Sequence, residues 1–170
     1  FIGGDANQWQ PNLFRNTTQI YPFLGTEPGK WNLVTAMADD AIDYMTRIHQ
    51  IQPDKPIFIK YAPGATHAPH HVPQEWADKY AGKFADGWDA HRESTFARQK
   101  ELGVVPPDTV LTRRHDEIPA WDDMPDALKP VLARQMEVYA GFLEHVDHHV
   151  GRLIDAIEDQ RIAVTPCCRC

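Results

Sequence analysis

Apolar residues recur at helical spacing in two long stretches of the chain, and a short block between them follows a different pattern. Between Leu33 and about Gln50 they fall at Val34, Met37, Ala38, Ala41, Ile42, Met45 and Ile48, with Asp39, Asp40, Asp43 and Arg47 interleaved. A repeat near 3.6 residues with charges opposite it predicts an amphipathic helix. Asn32 or Thr35 would cap it by offering a side-chain oxygen to an unpaired amide. From about Ala127 to Asp159, Leu132, Met136, Tyr139, Leu143, Val146, Val150, Leu153, Ile154 and Ile157 share one stripe. That predicts a long helix turned to a core, with Pro130 in its first turn or in a break just before the main run. IFIKYA, residues 57–62, follows Pro53 and Pro56 and is short, β-rich and largely apolar. It predicts a buried strand after a helix, the order found in α/β proteins.

Elsewhere the pattern is weaker. Residues 1–31 are interrupted by Gly3, Gly4, Pro11, Pro22, Gly25, Pro28 and Gly29 and predict loop. Residues 74–102 have a faint helical pattern broken at Gly82 and Gly87. Residues 103–126 make a long connection rich in Pro and Asp; such lengths carry function or wrap the surface of a larger domain.

Composition narrows the class. The 170 residues suit one domain or a piece of a larger one, and 42% hydrophobic with 24% charged residues supports a packed core rather than disorder. A net charge of −7 argues against a nucleic-acid surface, which needs clustered Lys and Arg. No run approaches the roughly 18 apolar residues of a membrane span. The opening FIGGDANQWQ has no initiator Met and no basic segment before an apolar one, so it reads as the middle of a domain. Cys167, Cys168 and Cys170 are confined to the closing TPCCRC, with no second ligand pair at zinc-finger spacing. Residues 161–170 therefore read as a tail foreign to the domain formed by residues 1–160.

GATHAPHH, residues 64–71, is where chemistry concentrates. In open α/β sheets ligands bind at the carboxyl ends of strands, which is where His67 falls after IFIKYA. Pro63 and Gly64 permit a sharp turn and Pro69 stiffens the loop. Histidine titrates near neutrality, so an imidazole so placed suits proton donation to a leaving oxygen or anion binding. Equally, it suits a loop histidine bonded to backbone. His70 and His71 complete an HxxHH cluster that invites a metal, although Pro69 removes the helical i, i+4 geometry. In the last helix, His145, Asp147, His148 and His149 are expected on the solvated side or its margin, Asp147 nearest the stripe. The loop DANQW, residues 5–9, offers Trp9 as a stacking ring at a pocket lip or as a plug for its own loop. Trp9 and His70 are the candidates for contact with substrate.

Taken in order, FIGGDANQWQPNLFRN, TAMADDAIDYM, IFIKYAPGATHAPHH and YAGFLEHVDHHVGRLIDAIE resemble the bacterial arylsulfatases over roughly residues 1–159. These are type I sulfatases of the alkaline-phosphatase-like superfamily. The resemblance implies an α/β fold in which helices pack on a mixed, mostly parallel sheet. It implies hydrolysis of a small sulfate ester to an alcohol or phenol and sulfate, using a formylglycine nucleophile and a calcium ion. His67 matches the family's sulfate-contacting histidine, which contributes general-acid chemistry.

The departures are equally specific. The C-x-P-x-R motif that yields formylglycine is absent, because Cys167-Cys168-Arg169 lacks its proline and spacing. Asp39 and Asp40 lie on the polar side of a helix and are not the family's metal pair, so no metal ligand is assigned within this chain. The chain is therefore expected to be an internal piece of a catalytic domain, inactive alone and liable to self-associate through uncovered apolar surface. Two other readings stand beside it. One is a phosphodiesterase or phosphonate hydrolase of the same superfamily, which needs a similar anion clamp. The other is a module using its nine histidines to hold a transition metal.

Overall fold

The computed structural model describes residues 5–160. Its elements are a β-hairpin, β1 (Leu13–Arg15) and β2 (Thr18–Ile20), and four helices: α1 (Leu33–Ile51), α2 (Gln74–Asp78), α3 (Gly87–Glu101) and α4 (Lys129–Asp159). The strands pair antiparallel, Leu13 opposite Ile20. Asn16, at φ 57°, takes the left-handed turn position that asparagine tolerates.

Helix α1 begins where the periodicity places it. The Asn32 side chain accepts from the Val34 amide at 2.9 Å, and the Leu33 amide donates to the Gln8 carbonyl at 2.8 Å, so two of the unpaired first-turn amides are satisfied. Leu33, Val34, Ala38 and Met45 are buried, and this face meets α4. Pro130 stands in the first turn of α4, where its missing N–H costs nothing.

Two glycines allow contacts that a side chain would forbid. A Cβ on Gly141 of α4 would lie 2.6 Å from the Trp76 carbonyl and the Ala77 amide nitrogen, so α2 rests directly on the backbone of α4. Gly87 opens α3 at φ 78° beneath the Trp121 ring, which a Cβ there would overlap. The long connection is pinned through this contact. Trp88 Nε1 donates to the Pro119 carbonyl at 3.1 Å, and Asp89 accepts from the Trp121 amide at 2.9 Å and from Arg114 at 2.8 Å. The amide of Trp121, then Arg114, hold the Asp89 carboxyl below the usual range.

Three sequence expectations need correction. The hairpin interrupts the predicted loop of residues 1–31. IFIKYA forms no strand: Phe58 is 90% exposed, and β1–β2 is the only sheet among the described residues. An extended segment becomes a strand only when a neighbour takes its ladder hydrogen bonds, and no described residue does so. The mixed, mostly parallel sheet is accordingly not among the described residues. Finally, α4 buries Glu137, Gly141, Phe142, His145 and His149, whereas Leu143 and Ile154 of the predicted stripe are half exposed. The core face is displaced by about one residue, roughly 100° around the axis. The residues expected in the tail, 161–170, lie outside the described residues.

Gly141→Ala should destabilise the chain. Alanine gains about 1 kcal/mol of helix propensity over glycine, but forcing α2 off α4 costs about 1–3 kcal/mol. A lower urea midpoint at unchanged slope is the expected result. The apolar face of α4, continuous through Met136, Leu143, Val150 and Ile154, should drive self-association of the isolated chain. Sedimentation should show oligomers that dissociate in Leu143→Glu; a sharp monomer for the unaltered chain would refute this.

Candidate functional site

The segment between Pro63 and Pro73 is a loop held at both ends by different helices. At its start the Thr66 hydroxyl donates to the Tyr139 hydroxyl of α4 at 3.2 Å. At its end Asn32 Nδ2, at the mouth of α1, donates to the His71 carbonyl at 3.2 Å. Asn32 thus caps α1 with its oxygen and holds the loop with its nitrogen, a division of labour open to an amide and closed to a carboxylate.

The three histidines of this loop go to three different environments. His67 is exposed, and its amide closes a turn onto the Gly64 carbonyl at 2.9 Å. Its Nδ1 lies 2.7 Å from the Ala68 carbonyl. A carbonyl only accepts, so Nδ1 carries a proton and Nε2 is the ring atom available to a ligand. His70 packs edge-on to Tyr139, ring centres 5.2 Å apart. His71 stacks on Trp9 at 6.2 Å and its Nδ1 accepts a long bond, 3.4 Å, from the Gln8 amide. Burial, then the neighbouring His70, lower the pKa of His71. The HxxHH cluster therefore does not converge on one point, which removes the reason for reading it as a metal-binding module. The indole of Trp9 lies against His71.

His70 and Tyr139 border an open apolar groove of about 950 Å³ that is lined further by Phe84, Trp88, Trp121 and Met136. Its walls come from α3, α4 and the long connection, so only folding assembles it.

On α4 the expectation of a solvated histidine face is overturned. His145 and His149 are 2% and 5% exposed, whereas Asp147 and His148 are exposed. Trp76 of α2 covers His145 at 5.1 Å between ring centres. Asp147, expected nearest the stripe, faces out instead. The signal that could have found the pair is its i, i+4 spacing in register with Gly141 and Phe142, a small-and-aromatic face that competes with the aliphatic stripe.

No three His, Cys, Asp or Glu side chains among the described residues are placed to hold a metal ion. Asp39 and Asp40 are exposed and paired with Arg152 and Arg15. All three cysteines lie outside the described residues. The described residues thus do not fit the calcium or the formylglycine that the resemblance implies.

The family described as Sulfatase matches residues 2–163, and the chain belongs to that family of sulfuric ester hydrolases. Two relatives are more particular. An uncharacterised sulfatase of Schizosaccharomyces pombe is 36% identical over 104 residues, covering 59% of this chain and 19% of the relative. An arylsulfatase of Klebsiella aerogenes is 28% identical over 166 residues, covering 93% of this chain and 35% of the relative. The chain thus spans about a fifth to a third of the curated relatives it matches.

Asn32→Ala should lower stability by about 0.5–2 kcal/mol through loss of the helix cap. Asn32→Asp should keep the cap yet lose the bond to His71. Amide exchange of residues 67–71 should then rise in both variants, while the urea midpoint falls only in the first.

Proposed function

We propose that this chain is the part of a sulfatase catalytic domain that presents His67 to the ester oxygen of a small sulfate ester. The observation that carries the reading is the Nδ1 contact with the Ala68 carbonyl, 2.7 Å, on a loop tied to both α1 and α4. It fixes the ring and leaves Nε2 as the one site for proton exchange. When the S–O bond breaks, its electron pair stays on the leaving oxygen, and a proton from Nε2 turns the developing alkoxide or phenoxide into a neutral alcohol or phenol. The cationic ring also offsets the charge that gathers on that oxygen as the bond lengthens.

The groove beside His70 supports an aromatic alcohol half. Its lining of Phe84, Trp88, Trp121, Met136 and Tyr139 suits a flat apolar group better than a sugar, which would demand more polar partners. In this reading His70 stands between the ester and that group, and Trp9 supports the loop from behind through His71. Sulfate is favoured over phosphate or phosphonate because both relatives are named as sulfatases. The nucleophile and calcium ligands belong to parts of the whole protein outside the described residues, so residues 5–160 alone should not turn over an ester.

In an active protein containing this segment, His67→Ala should slow turnover by about 100- to 10,000-fold while leaving KM nearly unchanged. The slowing should be greatest for poorly acidic leaving groups and least for nitrophenyl sulfates. A uniform loss across leaving groups would remove the proton-donor role and leave anion binding alone.

A further inference from the structure

The buried histidines of α4 make contacts that the reaction above does not use. His145 and His149 stand one turn apart with their Nε2 atoms 3.1 Å from each other. Thr35 Oγ1 of α1 lies 3.0 Å from Nε2 of His149 and 3.3 Å from Nε2 of His145. Behind them Arg152 Nη1 lies 2.9 Å from His149 Nδ1, and its Nη2 donates to Asp39 of α1 at 2.6 Å.

The proton positions follow from donor chemistry. Arginine only donates, so His149 Nδ1 must be the acceptor and the His149 proton sits on Nε2. That N–H points at Thr35 and His145, so the facing His145 Nε2 is the lone pair and the Thr35 hydroxyl donates to it. His145 then carries its proton on Nδ1, a buried atom that has no hydrogen-bond partner in the structure. Three donor atoms about 3 Å apart also resemble one face of a tetrahedral metal site. A metal would need the His149 Nε2 lone pair, however, and Arg152 has fixed a proton there.

We propose that Thr35, His145 and His149, backed by Arg152 and Asp39, form a proton-operated clasp between α1 and α4. It is closed while both imidazoles are neutral and opens when either takes a second proton. A second proton on His149 would fall on Nδ1 and face the Arg152 guanidinium. A second proton on His145 would fall on Nε2 and face the N–H of His149.

The surroundings reinforce this. From α4 itself, His148 and Arg152 oppose further positive charge, and Glu144 is tied to Lys79. Just past α2, Lys79 sits over Trp76, 3.6 Å from its ring centre. From α1, Asp39 is the one facing group that favours a cation, and Arg152 already engages it. From the segment 57–62, Tyr61 donates to the Val34 carbonyl at 3.5 Å, and its pKa is raised chiefly by burial. Burial pushes both imidazoles down to about 4, helped at His145 by His149 and His148 and at His149 by Arg152 and His148.

The sign follows from linkage. The closed form binds fewer protons than the open form, in which an imidazole has its ordinary pKa of 6.5. Closure is therefore fully favoured above that value and weakens as pH falls from it towards about 4. Because Tyr139 and Asn32 hold opposite ends of the His67 loop, opening the clasp would also change the separation of the loop's two anchors. That consequence rests on the proposed role of His67, whereas the clasp itself does not.

Nitrogen-15 NMR of the histidine-labelled chain, read with amide exchange of α1 and α4, tests the clasp without any measure of turnover. At neutral pH, His149 should show the Nε2–H tautomer and His145 the Nδ1–H tautomer. Between about pH 6.5 and 4.5 the opening constant of the facing amides should rise at least about 20-fold. In the double variant His145→Gln, His149→Gln it should change less than about threefold over the same range. Arg152→Met provides an independent arm if that variant does not fold, because His149 should then take its second proton at a higher pH than in the unaltered chain. The proposal is overturned if neutral His149 carries its proton on Nδ1, or if either ring is charged while amide protection is unchanged. Equal acid opening with and without the two histidines, or an unmoved His149 in Arg152→Met, would overturn it as well. A failed His67 experiment would leave these results standing, and the reverse also holds.

Discussion

The structure depends on one contact, the seating of α4 against α1 and α2. Phe142 is fully buried there, which contributes roughly 1.5–3 kcal/mol, and Gly141 lets α2 approach backbone to backbone. The same surface buries two imidazoles, a costly choice unless every polar atom finds a partner. Thr35, Arg152 and the two rings themselves supply those partners, Asp39 holds Arg152 in place, and one partner, at His145 Nδ1, is missing. An aliphatic pair at these positions would hold the helices together without regard to proton concentration. The imidazoles make the contact conditional on their staying neutral.

The candidate site is a consequence of that seating. The loop around His67 has no regular structure of its own, and its shape comes from bonds to Tyr139 on one helix and Asn32 at the start of another. Its histidines divide the work. His70 and His71 spend their rings on packing against Tyr139 and Trp9, and His67 alone stays exposed. A site on a loop is as precise as its supports, and these supports sit on rigid helices.

The sulfatase family implies an α/β fold, of which the described residues show four helices and one hairpin. The aliphatic face of α4 and the exposed Phe58 are the kind of surface that an α/β domain covers with its sheet. IFIKYA has the composition of a strand and lacks only neighbours. The family match and the reading of the sequence agree on a sulfatase. They part at the nucleophile and the calcium ligands, for which the described residues offer no site.

By itself the sequence determined what depends on near neighbours. The extents of α1 and α4, the breaks at Gly82 and Gly87 and the place of His67 in a proline-bearing loop follow from residues within a turn or two of each other; the same local pattern narrows the α1 cap to Asn32 or Thr35 and Pro130 to the first turn of α4 or just before it, and the structure selects Asn32 and the first turn. Tertiary structure alone decided which side of α4 is buried, because both its aliphatic stripe and its His-Gly-Phe face repeat at helical spacing. The choice was made by Thr35, which lies 110 residues from His145 in the chain, and by Trp76, whose backbone needs Gly141. It likewise decided that IFIKYA is no strand. Burial and ladder pairing are properties of whatever the chain meets in space, and a local pattern carries no record of that partner.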